Sequence, residues 1–302
     1  MTILVTGLRG GLDIINASLL YYVAKAEGKD VILGACRSKS LSRLGGKFES
    51  FADSGALVGP ETTIRARGRY VEPLVSQTIK EKVLYFGRKF EDKSDLARFR
   101  EAVLTARERF GITDHILVDG GGDSLILQHG DGIEGVSETF DPYEGGDAEV
   151  MVALKGIPNT YLALVSVGLD IDVKKFWKNL TELNKIGGYF GRAHLVNREL
   201  ENGGLLDIVG FTEPFLQPYF DLAEERVIMS LDDFDDPGKM RSHTAVVTYH
   251  ALKGHFGMQR TYVDWEPKVE GRLGVNVTNN HNWMYFFDLT RVEALKDKFN
   301  KI

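Results

Sequence analysis

"TILVTGLRGGLDIINASLLYYVAKAEGKDVILGACR", residues 2–37, decides the fold. "TILVT" is a short apolar run of the kind that forms a strand buried on both faces. The glycine loop "GLRGGLD" follows. "IINASLLYYVAKAEG" then carries apolar residues at helical spacing and stops at Gly28, a residue type that commonly closes helices. "DVILGACR" reads as a second buried strand. Strand, loop, helix and strand within about 35 residues is the size of a βαβ unit.

The pattern continues outward. Residues 38–70 are polar and glycine-rich, with many Arg and Lys, and read as an insertion or an irregular loop with short strands. "YVEPLVSQTIKEKVLYFG" gives a helix or a pair of short elements. Residues 92–110 predict an amphipathic helix, with Leu96, Phe99, Val103, Ala106 and Phe110 on one stripe and Gly111 as its stop. "HILVD" is the next strand, "DAEVMVALKGI" a helix, "NTYLALVSVG" a strand and "DVKKFWKNLTELNKIGG" a helix. From about residue 240 the texture changes. "HTAVVTYHALKG", "GRLGVNVTN" and "HNWMYFFDL" are strand-like, and a last helix is expected over about 290–299. Alternating strands and helices imply an α/β fold that is Rossmann-like: a mostly parallel sheet, helices on both faces, and a C-terminal strand-rich extension. One domain over 1–302 is expected, with any C-terminal subdomain starting near 240.

The bulk numbers narrow the function classes. The 302 residues are 43% hydrophobic and 26% charged, which fits a soluble globular chain. A net charge of −6 gives no bulk attraction to nucleic acid or to membranes. No apolar run reaches the roughly 18 residues of a membrane-spanning helix, and no signal peptide is visible. The single cysteine, Cys36, allows no internal disulfide. The expected location is cytoplasmic, where the sequons at Asn16, Asn179 and Asn276 carry no meaning.

Two glycine loops fall at strand ends, where ligands of open α/β sheets bind. Gly7, Gly10 and Gly11 let backbone approach a ligand closely. The helix N-terminus behind them suits phosphate, and Arg9 adds a charged contact. Asp13 either stabilises the first helical turn or binds a ribose hydroxyl. The loop is neither a P-loop nor a full dinucleotide fingerprint, and it also reads as a tight turn without a ligand.

The second loop is "HILVDGGGDSLIL", residues 115–127. Asp119 and Asp123 flank Gly120, Gly121 and Gly122, with Ser124 next. Two carboxylates on a glycine hinge can share Mg²⁺ or Ca²⁺, grip ribose hydroxyls, or supply a general base. A turn with an aspartate cap on the next helix also fits. A third loop, "SETFDPYEGGDAEV", places Asp147 after Gly145 and Gly146 at a helix start and adds Glu138, Asp141, Glu144 and Glu149. Three Gly-Gly loops each followed closely by Asp suggest one acidic, glycine-lined pocket.

The histidines are less informative. His281 sits in a polar island and reads equally as site residue or turn. His243, His250 and His255 lack metal-site spacing, and His115 and His194 read as structural. Cys36 has no evident histidine partner, so it is not read as a nucleophile.

"ILVTGLRGG" in its βαβ unit, with Arg37 ending the second strand, resembles the start of the NADP-binding short-chain dehydrogenases over about 40 residues. The third fingerprint glycine is Asp13 here. The Tyr-x-x-x-Lys pair occurs only as Tyr21 and Lys25 inside the first helix, where it cannot be catalytic. "GLRGGLD", "LVDGGGDSLI" and "GGDAEVMVAL" together resemble the domain-of-unknown-function family numbered 1152 over most of the chain. That resemblance implies that the glycine-aspartate loops belong to one shared site. Nucleoside hydrolases also carry aspartates on glycine turns at strand ends, although their Asp-Asp pair and proline are missing here.

The expectation is an enzyme acting on a nucleotide, nucleoside or sugar-phosphate by hydrolysis or group transfer. The site would be catalytic Asp119 and Asp123 with Gly7, Arg9, Gly10, Gly11, Asp13, Gly120, Gly121, Gly122, Ser124 and Asp147 binding ligand. A non-catalytic nucleotide or metabolite sensor and an NADP-dependent oxidoreductase are the alternatives. The expected partner is a small phosphate- or ribose-containing molecule.

Overall fold

The computed structural model describes residues 1–8, 13–26, 28–37, 41–64, 72–87, 93–120, 122–132, 137, 139–165, 171–194 and 283–301. They fall into two compact units. The first takes Met1–Val118 and Gly146–Leu162, and the second takes 119–145 and the described part of 163–302.

The first unit opens as the sequence predicts. β1 (Thr2–Gly7), α1 (Asp13–Ala26) and β2 (Asp30–Arg37) form a βαβ unit, with Thr2 paired to Asp30 and Gly7 to Ala35 in parallel register. Leu4, Val5, Leu33, Ala35 and Cys36 are buried along it, which is why both strands read as continuous apolar runs. Gly28, at positive φ, follows α1 and donates its N–H to the Lys25 carbonyl. On α1, Tyr21 donates its hydroxyl to Glu81 at 2.9 Å, and Lys25 pairs with the same carboxylate at 3.0 Å. The Tyr-x-x-x-Lys spacing therefore serves helix docking.

Residues 41–64 carry the strands expected there, but as a regular hairpin rather than as short strands in an irregular loop. β3 (Leu44–Ala52) and β4 (Gly55–Ile64) make an antiparallel hairpin turned at Asp53 and Ser54. The length of these strands is hard to read in sequence because β3 buries only Leu44 and Gly45 and exposes Phe48, so apolar alternation is weak. α2 (Glu72–Ile79) and β5 (Val83–Gly87) resolve the next stretch into a helix and a strand. β5 runs parallel to β2 and antiparallel to β4. α3 (Lys93–Phe110) buries Phe99, Val103 and Ala106 of the expected stripe, with Leu96 and Phe110 half-buried at its ends. β6 (Ile112–Gly120) returns beside β1 in parallel, with Gly7 opposite Val118. The strand order is β3-β4-β5-β2-β1-β6. α4 (Gly146–Leu154) and the start of β7 (Thr160–Val165) complete this unit.

In the second unit, Asp172 caps α5 (Val173–Lys185) by accepting from Lys175 N at 3.0 Å. β8 (Tyr189–His194) and β9 (Trp283–Asp288) pair antiparallel. Asp288 then caps α6 (Leu289–Asn300), close to the expected last helix. The fold is α/β: in the first unit an open sheet mixes parallel pairs with the antiparallel pairs of β3 and β4, and in the second unit β8 and β9 pair antiparallel. The expected strands between 240 and 282 lie outside the described residues. Among the described residues no helix is long and apolar enough to cross a membrane.

Candidate functional site

The last residues of β6, from Leu117 to Gly120, are all buried. Asp119 is therefore delivered into the protein interior, 1% exposed. A carboxylate there needs donors, and Ser124 provides two. Its hydroxyl donates to Asp119 Oδ2 at 2.5 Å and its backbone N–H to the same oxygen at 3.3 Å. The chain folds back this sharply because Gly122 adopts φ 102° and ψ 8°, a left-handed conformation that disfavours any side chain. A 3-10 turn, Asp123–Leu125, follows. The chain then dives into the core with Leu125, Ile126 and Leu127.

Asp123 stands half-buried at the head of that turn. One of its carboxylate oxygens lies within 4.8 Å of one from Asp119. Oxygen ligands sit about 2.0–2.6 Å from Mg²⁺ or Ca²⁺. Two oxygens at such a separation can be bridged by one hard cation or by the hydroxyls of a sugar. The donor chemistry fits the group expected from sequence. The aspartate cap also expected there is not formed: Gly122 is the N-cap residue of the 3-10 turn and no side chain caps it, while the bonds from Ser124 to Asp119 close the turn.

The turn is held from behind by residues that the sequence reading missed. Asp131, fully buried, accepts from the N–H groups of Leu127 and Gln128 at 3.1 and 3.2 Å. Asn179 of α5, also fully buried, donates to Asp131 Oδ2 at 2.8 Å and to the Leu125 carbonyl at 3.1 Å. The Asp131 carbonyl accepts from Asp172 N at 3.0 Å, where α5 begins. Asp131 lies in "HGDG", and its flanking glycines were the available signal. Asn179 gave only a sequon, and its burial places it out of reach of modification.

The first glycine loop has a different physical basis. A Cβ on Gly7 would lie 2.3 Å from Ile14 N and 2.5 Å from the Asp13 carbonyl carbon. Glycine is required here because α1 starts against the end of β1. Leu8 N donates to the Val118 carbonyl at 2.8 Å, so β1 and β6 end side by side. Asp13 is the first residue of α1 and is buried. Acidic residues in a first turn favour the helix dipole. Arg9, Gly10, Gly11 and Gly121 lie outside the described residues, as do Glu138, His243, His250, His255, Asn276 and His281. Asp147 opens α4 of the first unit in its first turn, as the sequence predicts. Asp141 accepts from Tyr143 N at 2.7 Å, and so shapes its own loop.

His115 is structural, as expected. It is fully buried on β6, with Nε2 2.8 Å from Thr6 Oγ1, and burial pushes its pKa down to about 3. Cys36 is buried.

Compared with known proteins, the chain matches no family model, no curated protein and no solved structure.

Proposed function

We propose that this chain is an enzyme on a Rossmann-like fold. It acts on a nucleotide, nucleoside or sugar-phosphate by hydrolysis or group transfer at the turn that carries Asp119 and Asp123. One observation carries the reading: two carboxylates lie within 4.8 Å of each other, one in the last residues of β6 and one just past its end, in the parallel run β5-β2-β1-β6. Ligands of open α/β sheets collect beyond such strand ends. In this reading Asp119 and Asp123 hold a divalent cation, Mg²⁺ or Ca²⁺, or the ribose hydroxyls, and Asp123, the less buried of the two, activates water. Gly7, Arg9, Gly10, Gly11 and Asp13 enter as phosphate and ribose binders on their sequence pattern, as does Gly121, and Gly120, Gly122 and Ser124 shape the turn. Asp147 enters on its sequence pattern alone, supported by the resemblance to the family numbered 1152.

A second reading, a non-catalytic nucleotide or metabolite sensor, is favoured by the bonds from Ser124 to Asp119. A carboxylate oxygen already taking two hydrogen bonds has less acceptor capacity left for a substrate proton. An NADP-dependent oxidoreductase rests on the "ILVTGLRGG" βαβ unit and on Arg37 at the end of β2, and fluorescence titration with NADPH tests it.

The test is a thermal-shift screen against nucleotides, nucleosides, sugar phosphates and NADP, with and without Mg²⁺ or Ca²⁺. A ligand at 100 times its Kd stabilises by about 2.7 kcal/mol, enough to move the melt by a few degrees. A shift lost in Asp123→Asn supports the site, and product analysis of the bound ligand then separates enzyme from sensor. No shift with any compound contradicts both readings.

A further inference from the structure

α6 buries two opposite charges. Glu293 and Lys296 are 0% and 1% exposed, and Lys296 Nζ lies 3.2 Å from Glu293 Oε1. The Glu293 carboxylate takes no hydrogen bond among the described residues. Withdrawing two ions from water is repaid only by excellent geometry with further hydrogen bonds, and apolar replacements of such pairs are often neutral or stabilising. A buried carboxylate without a hydrogen bond is poorly explained by stability.

Its surroundings supply another reason. Lys296 Nζ also donates to the Pro142 carbonyl at 3.1 Å. The neighbouring Tyr143 donates its hydroxyl to Asp297 at 3.2 Å, and burial with that carboxylate pushes the phenol pKa up to about 12. Asn300, one turn on, donates to the Leu127 carbonyl at 2.8 Å. One helix thus grips two loops that are 154 and 173 residues distant in sequence. One of them is the exit of the Asp119–Asp123 turn, and the other is the Phe140–Tyr143 loop.

We propose that Glu293 and Lys296 are positioning residues that fix where the Phe140–Tyr143 loop rests on α6. Lysine supplies a long-reaching donor for a buried carbonyl, and Glu293 supplies the counter-charge that lets lysine stay there. The device goes beyond the functional proposal and does not depend on what the aspartate turn binds.

The experiment compares the full chain with the double variant Glu293→Leu, Lys296→Met, without ligand, by amide hydrogen exchange and by thermal melting. The Phe140 and Tyr143 amides, bonded to the Ser137 carbonyl at 3.0 Å and to Asp141 at 2.7 Å, report on the loop. The expected result is a melting temperature at or above that of the parent, with these two amides exchanging at least tenfold faster and β9 unchanged. Unchanged exchange at both amides overturns the proposal. So does a variant that melts well below the parent or fails to fold, because the pair would then be a stability element. Tyr143→Phe is the second variant. It loosens the same two amides to a smaller degree, and no change in them contradicts the grip of α6.

Discussion

Ser124 donates twice to one oxygen of Asp119, through its hydroxyl at 2.5 Å and its backbone N–H at 3.3 Å, with both side chains almost fully buried. The hydroxyl bond ends on a carboxylate, and such bonds contribute about 1.5–3 kcal/mol. Ser124→Ala is therefore expected to lower unfolding stability by about that amount in urea titration. A loss under about 0.5 kcal/mol, the usual size of a surface substitution, would mean that the pair does not close the turn.

Asn179 joins the same network from α5 and touches both the Leu125 carbonyl and Asp131 Oδ2. Asn179→Ala removes one donor from a fully buried carboxylate and one from the Leu125 carbonyl, and is expected to cost about 2–3 kcal/mol. Asn179→Asp should be worse at neutral pH, because it sets a second carboxylate beside the first. Chemical denaturation of both variants checks the order. An Asp variant at least as stable as the Ala variant would show that Asn179 is not the donor.

Gly7→Ala tests the contact between β1 and α1. Its Cβ would meet Ile14 N at 2.3 Å, and backbone atoms cannot swing aside as a side-chain tip can. Overpacking of this kind costs about 1–3 kcal/mol or more. The expected outcome is a clear drop in melting temperature. An unchanged melt would place the start of α1 further from β1.

His115 predicts a pH dependence. Its folded pKa of about 3 lies below the ordinary 6.5, so the native ring is neutral while the unfolded ring takes up a proton as the pH falls. This contribution to stability is intact above about pH 6.5 and is lost as the pH drops toward 3, at about 1.4 kcal/mol per pH unit. In His115→Gln, stability measured between pH 6.5 and 4.5 should fall less steeply than in the parent. Equal slopes would place the histidine in contact with water.

How much of this was legible in the sequence depends on how local each cause is. α1, α3 and β6 announced themselves because their burial repeats at helical or strand spacing within a few residues. Asp119 and Asp123 were visible because glycine turns at strand ends are local too. The β3–β4 hairpin was hidden by exposure: its turn is Asp53-Ser54, and Gly55 follows that turn because a Cβ there would meet the Phe51 ring at 2.3 Å. Asp131, Asn179, Lys296 and Asn300 were hidden by distance. Each acts through a partner that only tertiary structure brings near, and a single Asn or Lys on a helix looks like any surface residue. The Asp119–Asp123 loop carried two readings in sequence, capped turn and ligand site. The bonds from Ser124 to Asp119 close the turn without capping it, while the nearby Asp123 carboxylate is what sustains the ligand reading.

That ligand reading is tested most directly by Mn²⁺, a paramagnetic stand-in for a hard divalent cation, titrated into the parent chain and into Asp123→Asn with electron paramagnetic resonance to count free ion. Asp123 is half-buried at a turn, so the amide should leave the fold and the melt intact. The account predicts one saturable site in the parent and at least tenfold weaker binding in the variant, about 1.4 kcal/mol. Equal binding in both proteins, or no saturable binding in the parent, would contradict a cation site at Asp119 and Asp123.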